Sequence, residues 1–299
     1  MYSKPAVVSA EKETGAQGRL LDVAILFKPM IIGLVLVSTL AGAYIANKGV
    51  PPLGLVFWTL LGTGFATAAA AALNNYIDRD IDSVMKRTRS RTIPGGHIKP
   101  ATALWSGLVI GTLAAVVLVL CVNPVAAGLA VAALFIYVVP YTLISKRRTP
   151  LATFIGGVGG ALPPVIGYAA VKPELDVYAL ALFLIIFAWQ HPHFWSLALK
   201  YRDEYAEAGV RNLAVVLGPE GTKRRIELWA AILAAVSLLP YFLGMVGSLY
   251  LYSALILGLV FLGMSTWFLL SGRKVAMSLF FYSIIHLPAL YCVMVVDIM

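Results

Sequence analysis

Nine long apolar runs follow one another along the chain, over 26-46, 53-75, 101-121, 124-144, 151-171, 177-199, 226-246, 248-270 and 277-297, each bounded by short polar or Pro- and Gly-containing stretches. A helix rises about 1.5 Å per residue, so roughly 20 apolar residues cross the ~30 Å hydrocarbon core of a bilayer. The runs are too long and continuous for the alternating strands of a barrel, and an open sheet would leave backbone groups without partners in lipid. The pattern predicts an all-α polytopic membrane protein with nine transmembrane helices.

Composition names the solvent. Of 299 residues, 60% are hydrophobic and 12% charged, against about 45–50% and about 25% in a soluble domain, so lipid is the main surrounding. Basic residues then orient the chain, because Lys and Arg accumulate in short cytoplasmic loops. Of 23, all but Lys48 and Lys172 fall in the segment through Lys28 or in the loops after the second, fourth, sixth and eighth runs. This places the N-terminus in the cytosol and the C-terminus outside. The same bias accounts for the net charge of +9 without a nucleic-acid partner.

Residues 1-24 read as a cytosolic tail, since Lys4, Lys12 and Arg19 are mixed with Glu11 and Glu13 and no early apolar core suggests a cleaved leader. Residues 25-299 form one nine-helix domain. Cys121 and Cys292 are too far apart for a C-x-x-C pair and read as buried thiols near the outer ends of helices.

Two loops on the basic side, about 76-100 and 200-225, are longer than the rest and gather most of the acidic residues, so chemistry is expected there. The first opens with Leu73-Asn74-Asn75-Tyr76-Ile77-Asp78-Arg79-Asp80-Ile81-Asp82. If the second helix continues through it, Asn74, Asp78 and Asp82 stand at i, i+4 and i+8 on one face, spread over roughly 12 Å. A line of oxygen ligands suits Mg2+, which is held by one or two carboxylates plus substrate phosphates. Like charges at i, i+4 also destabilise a bare helix unless a cation neutralises them. Lys86, Arg87, Arg89 and Arg91 follow, ahead of the turn Pro94-Gly95-Gly96. They serve either as phosphate donors or as topological anchors.

The second loop repeats the theme with Lys200, Arg202, Asp203, Glu204 and Glu207, Asp203 lying about 125 residues beyond Asp78. A similar offset separates Ser145-Lys146-Arg147 from Ser271-Gly272-Arg273-Lys274. The echo suggests a repeat of four helices and two acidic ends facing one central cavity that opens to the cytosolic side. Two intramembrane histidines, His191 and His193, are functional candidates by their place. On a regular helix the two point to different sides, and of the two His193 is favoured. Trp189, Phe194 and Trp195 stand beside them, and His286 reads as structural. The glycines at 156-160 read as helix packing, with cavity shape a consequence.

At these residues the chain resembles the intramembrane prenyltransferases related to 4-hydroxybenzoate polyprenyltransferase. The shared signature is Asn74 to Asp82 followed by Met85-Lys86-Arg87-Thr88. Three further stretches point to the subgroup that farnesylates protohaem IX, the haem O synthases. They are Tyr141-Thr142 through Lys146-Arg147 and Thr149-Pro150, then Gly156-Gly157-Val158-Gly159-Gly160-Ala161-Leu162-Pro163-Pro164, and Pro192-His193-Phe194-Trp195.

The resemblance implies farnesyl transfer from farnesyl diphosphate to a vinyl group of haem b, with water added, in the bacterial cytoplasmic (inner) membrane. It implies Mg2+ on Asn74, Asp78, Asp82, Asp203 and Glu204. Diphosphate would lie on Arg79, Arg87, Arg91, Lys146, Arg147, Lys200 and Arg202, and haem on His193 and Trp195. Asn74, Asp78, Asp82, Lys146, Lys200 and Asp203 are the expected catalytic set. The expected partners are the lipid bilayer and a downstream haem-modifying enzyme or oxidase assembly factors. Prenylation of a quinone precursor or another aromatic acceptor is the alternative, and a transporter the remote one.

Overall fold

A computed structural model describes residues 16–271 and 276–299. Its elements are α1 (Ala16–Phe27), α2 (Pro29–Asn47), α3 (Leu53–Ile77), α4 (Arg79–Val84), α5 (Pro100–Cys121), α6 (Pro124–Ile136), α7 (Ala152–Gly160), α8 (Pro163–Val171), α9 (Val177–Lys200), α10 (Arg202–Glu207), α11 (Leu213–Val236), α12 (Leu239–Phe242), α13 (Ser248–Leu270) and α14 (Ala276–Val296). A π-helical stretch, Tyr137–Ser145, prolongs α6. Nine segments among the described residues are long and apolar enough to cross a bilayer, and the chain is an integral membrane protein.

Local chemistry sets the ends of these helices. Proline occupies the first turn of α2, α5, α6 and α8, where its missing N–H costs nothing. Asn123, Asp176 and Asn212 cap α6, α9 and α11 by accepting backbone N–H groups. Asp176 also accepts the Tyr168 hydroxyl at 2.6 Å and Lys172 Nζ at 2.8 Å.

Three expectations change. The seventh span begins near 213 rather than 226. Asn212 starts a helix over apolar residues, and the chain then turns at Gly218 (φ 68°) and Pro219 before continuing. Much of the expected loop 200-225 is therefore helical. The expected tail through residue 24 is helical from Ala16, while residues 1-15 and Gly272-Arg273-Lys274 lie outside the described residues. Cys121 and Cys292 are exposed, not buried; a thiol facing lipid loses no hydration it needs.

The helices pack small side inward. In α3 the buried residues include Thr59, Gly62, Thr63, Ala66, Ala69 and Ala72, while Leu53, Phe57 and Trp58 are exposed. Lipid gives no reward for hiding large apolar groups, so close backbone approach is what holds the bundle. Gly62 faces the Leu118 side chain and Gly107 that of Leu73, seating α3 on α5. Gly42 and Gly167 bring α2 and α8 so close that a Cβ on either would overlap the backbone carbonyl of Pro164 or Thr39. α9 packs against α7, α8, α11 and α14, and α14 returns to α2.

The two kinds of glycine should separate in a thermal-unfolding assay in detergent. Gly167→Ala should cost several kcal/mol by forcing α2 and α8 apart, on the order of an overpacked core or more. Gly128→Ala, which meets nothing within 4 Å, should be neutral or stabilising by up to about 1 kcal/mol.

Candidate active site

The hydrogen-bond ladder of α3 runs on past its last apolar turn. Asp78 N bonds Asn74 O at 2.9 Å and Asp82 N bonds Asp78 O at 2.8 Å, carrying the helical register into α4 with one slackened residue, Asp78 (φ −84°, ψ 3°). Asn74, Asp78 and Asp82 thus share a face as their spacing predicts. All three are buried, Asp78 completely.

Two buried carboxylates cost several kcal/mol each unless paired, and the partners come from three separate elements. Lys146, just past the π stretch, donates Nζ to Asp78 Oδ2. Arg91, in the loop after α4, donates to Asp82 Oδ2 at 2.8 Å. Lys28, between α1 and α2, donates to Asn74 Oδ1 at 2.9 Å. Asn74 in turn donates to Asp78 Oδ2 at 2.7 Å and Thr142 Oγ1 at 3.3 Å.

The π stretch makes this register possible. Pro140 has no N–H, and the turn widens so that Lys146 N bonds Tyr141 O at 2.9 Å, five residues back. Thr142 Oγ1 donates to Tyr137 O at 2.7 Å, leaving its lone pair for Asn74. Thr142 and Lys146, four apart, so meet Asn74 and Asp78, also four apart. Lys28 is held in a left-handed conformation (φ 55°, ψ 64°), worth about 1–3 kcal/mol of strain. Asn75 Nδ2 donates to Leu26 O at 2.8 Å and fastens that turn.

Electrostatics follow from the crowding. Burial, with the charges of Arg91 and Lys146, pushes the Lys28 ammonium down to about 7 against the opposing pull of Asp82 and Asp78. Burial also works against a charged Lys146, but Asp78 outweighs it and the ammonium lies above its ordinary value. Three cations surround two carboxylates and an amide. Asp78 Oδ1 nevertheless remains buried without a hydrogen-bond partner.

Other expected residues are not gathered here. Arg147 forks onto Asp80 with two bonds of 2.6 Å, and its guanidinium lowers the Asp80 carboxyl. Arg79 donates to Tyr76 O at 2.6 Å, and Arg87 and Lys200 both lie over the Tyr201 ring. Arg202 Nε bonds Ala214 O at 3.1 Å. Asp203 is exposed, with a 3.6 Å contact to Arg202, and Glu204 accepts the Arg87 N–H at 3.2 Å. The two acidic loops therefore touch, but among the described residues no three Asp, Glu, His or Cys side chains cluster as metal ligands.

Two cavities lie beside the acidic face. One, of about 150 Å3, is lined by Lys28, Thr63, Thr67 and alanines of α3 and α6. The other, of about 360 Å3, is lined by Tyr137, Tyr141, Gly157, Trp189, Gln190, His193 and Phe194. They share Ile31, Val35, Tyr137, Gly160 and Pro163.

His193 lines the larger cavity and His191 does not. His191 stacks on Trp229 at 4.0 Å and bonds Phe187 O. Trp195 is fully enclosed in the same packing, edge-on to His191 and bonded to Thr153 Oγ1 at 3.3 Å. It does not line the cavity, and we assign it to packing rather than to haem. Trp189 takes the expected place, stacked on His193 at 4.5 Å with Phe280 at 4.7 Å.

The state of His193 is coupled to its neighbour. Ser283 Oγ has one proton and lies 2.6 Å from Phe280 O and 2.6 Å from His193 Nδ1. With that proton on Phe280 O, Nδ1 is the donor and Nε2 keeps a lone pair; with it turned to Nδ1, the ring proton sits on Nε2. Lys28, Thr142 and Gln190 were missed in the sequence. Lys28 and Gln190 left one faint signal, a polar group set against or within an apolar run.

The chain is similar to known proteins over most of its length. Residues 35–287 match the profile of the UbiA prenyltransferase family. A protoheme IX farnesyltransferase of Aquifex aeolicus is 44% identical over 96% of this chain and 99% of its own. One of Marinobacter nauticus is 43% identical over 91% and 90%. Among solved structures, a digeranylgeranylglyceryl phosphate synthase has TM-score 0.77 at 19% identity, covering 93% of this chain and 98% of that one. A UbiA homolog from Archaeoglobus fulgidus bound to GPP and Mg2+ has TM-score 0.60 at 14% identity, covering 91% and 99%.

The ion pair gives a stability test. Lys146→Met strands the buried Asp78 carboxylate and should cost about 3–5 kcal/mol in detergent unfolding. Adding Asp78→Asn in that background removes the uncompensated charge and should recover most of the loss.

Proposed function

Because this chain belongs to the UbiA prenyltransferase family, we propose that it transfers the farnesyl group of farnesyl diphosphate to a vinyl group of haem b (protohaem IX), with addition of water, giving haem O and diphosphate. One observation carries the reading: relatives named protoheme IX farnesyltransferase match most of the chain, the Aquifex aeolicus protein at 44% identity and that of Marinobacter nauticus at 43%.

Asn74, Asp78 and Asp82 are the residues that would hold Mg2+. The donor set is all oxygen, and the buried, unpartnered Asp78 Oδ1 suits a hard cation. Bound there, the ion supplies positive charge opposite the diphosphate. Lys28, Arg91 and Lys146 then change duty. Bonded to this acidic row in the bare site, they become donors to phosphate oxygens, an arrangement that stabilises charge building on a leaving group away from water. Arg79, Arg87, Arg147, Lys200 and Arg202 would extend the diphosphate cradle, and Asp203 and Glu204, in the loop that meets the first one through Arg87, would supply a second metal position.

On the acceptor side, His193 would offer Nε2 to the haem iron while Nδ1 bonds Ser283 Oγ. The alanine-lined cavity beside Lys28 suits the apolar farnesyl chain. The acidic end is assigned to the cytosolic face of the bacterial inner membrane, with the N-terminus inside.

Purified protein given haem b, farnesyl diphosphate and Mg2+ should form haem O by mass analysis, and chelation should stop turnover until Mg2+ is restored. Asp78→Asn and Asp82→Asn should each lower the rate on the order of 100-fold or more. His193→Ala should weaken haem use while leaving the Mg2+ requirement unchanged. Full activity in Asp78→Asn, or without divalent metal, would remove the metal assignment.

A further inference from the structure

Water must be added to the acceptor in this reaction, and none of the groups assigned so far handles it. Among the polar side chains of the cavity wall, which also include Ser38, Tyr137, Tyr141 and Thr153, Gln190 stands on α9 between Trp189 and His193. Gln190 and His193 are three apart and lie on one face of the helix. We propose that Gln190 is the residue that orients the water added to the prenylated vinyl group; this rests on the reaction proposed above.

The amide has a fixed direction. Nε2 donates to Gly157 O at 2.8 Å. A carbonyl can only accept, so the nitrogen must face Gly157 and Oε1 must be the free end. Among the described residues no donor reaches Oε1, and Gln190 is half-buried in a cavity wall that is otherwise mostly apolar. An accepting oxygen held there is a place for one water hydrogen.

The glycine run is built around this amide. A Cβ on Gly157 would lie 2.9 Å from Gln190 Nε2, and one on Gly160 would lie 2.7 Å from Oε1. These two glycines, three apart on one face of α7, form a bare strip on which the amide lies flat. Gly156 and Gly159 have other duties, since they meet the Tyr141 ring and Ala133 O. Packing alone explains those two. The pair at 157 and 160 answers to Gln190.

The chemistry gives an oriented water something to decide. As the C–O bond to diphosphate breaks, the terminal vinyl carbon of the porphyrin forms a C–C bond to the farnesyl C1, and the positive charge moves to the vinyl carbon next to the ring. That cation has two exits. Water can donate a lone pair to form a C–O bond, after which one water proton passes through solvent to the released diphosphate. Alternatively the cation loses a proton from the adjacent CH2 and becomes an alkene, lighter by one water molecule. Gln190 Oε1 accepts one water hydrogen, turns a lone pair toward the cation and favours the first exit. It takes no proton itself.

Product identity therefore tests the role more sharply than rate. Gln190→Leu, assayed with haem b, farnesyl diphosphate and Mg2+, should still form the C–C bond, with the dehydrated product rising at least tenfold as a share of total product. Gly160→Ala, which displaces Oε1, should move the share in the same direction. Gln190→Glu keeps an accepting oxygen but loses the donor to Gly157 O that aims it, so it should raise the dehydrated share less than Gln190→Leu does. Unchanged partition in both Gln190→Leu and Gly160→Ala, whatever their rates, overturns the proposal. Wild-type protein in the same assay keeps the two readings apart: failure to farnesylate haem b refutes the reaction, not the role of Gln190.

Discussion

Two carboxylates held out of water at the end of a membrane helix are the constraint on which the rest of this structure turns. Asp78 and Asp82 cannot be buried alone, because each would forfeit several kcal/mol of hydration. Their neutralisers come from the loop after α4 and the end of the π stretch, and the junction before α2 holds the neighbouring Asn74 amide. No single element can form the site. Its charges close only when α2, α3 and α6 are packed together, which links the fold of this end of the bundle to its chemistry.

Lysine and arginine hold the carboxylates. The strained backbone of Lys28 and its lowered ammonium value belong to this arrangement, because the group is crowded by two other cations and kept in place by Asn74. In the proposed reaction the acidic row would take a divalent cation and the same basic side chains would turn to phosphate oxygens, so the charge balance would favour joint binding of metal and diphosphate over either alone.

The nine spans were legible because bilayer thickness imposes a length that no packing detail can alter, and the line Asn74, Asp78, Asp82 because helical spacing continues through the α3–α4 junction. Which face of each helix points inward was not legible. Large apolar side chains lie on both sides, Trp195, Leu182 and Phe261 inside and Trp58, Phe57 and Trp105 outside, so no amphipathic stripe marks the core. The start of α11 was hidden for a related reason: Gly218, Pro219 and the cluster Lys223-Arg224-Arg225 look like a loop, yet Asn212 begins a helix ahead of them. The recruitment of Lys28 and Thr142 was not legible either, since each depends on a backbone irregularity, one left-handed residue and one widened turn. The basic residues show the limit of composition: sequence alone could not separate Arg91 and Lys146, which reach the buried carboxylates, from Arg147 and Arg202, which are held elsewhere.

The division between donor and acceptor chemistry is spatial. Charge is confined to the end where α3 and the π stretch meet, and the cavity beyond it is nearly all apolar or aromatic, with polar groups at few points. Tyr137 belongs to the walls of both cavities and, through its carbonyl, to the hydrogen-bond network of Thr142. It therefore stands where the leaving group, the apolar chain and the acceptor would converge. An allylic cation generated there meets π faces and few competing nucleophiles, so the fate of the reaction depends on how sparingly water is admitted. In an enclosure of this kind, the position of a single accepting oxygen weighs more than the number of polar groups in the wall.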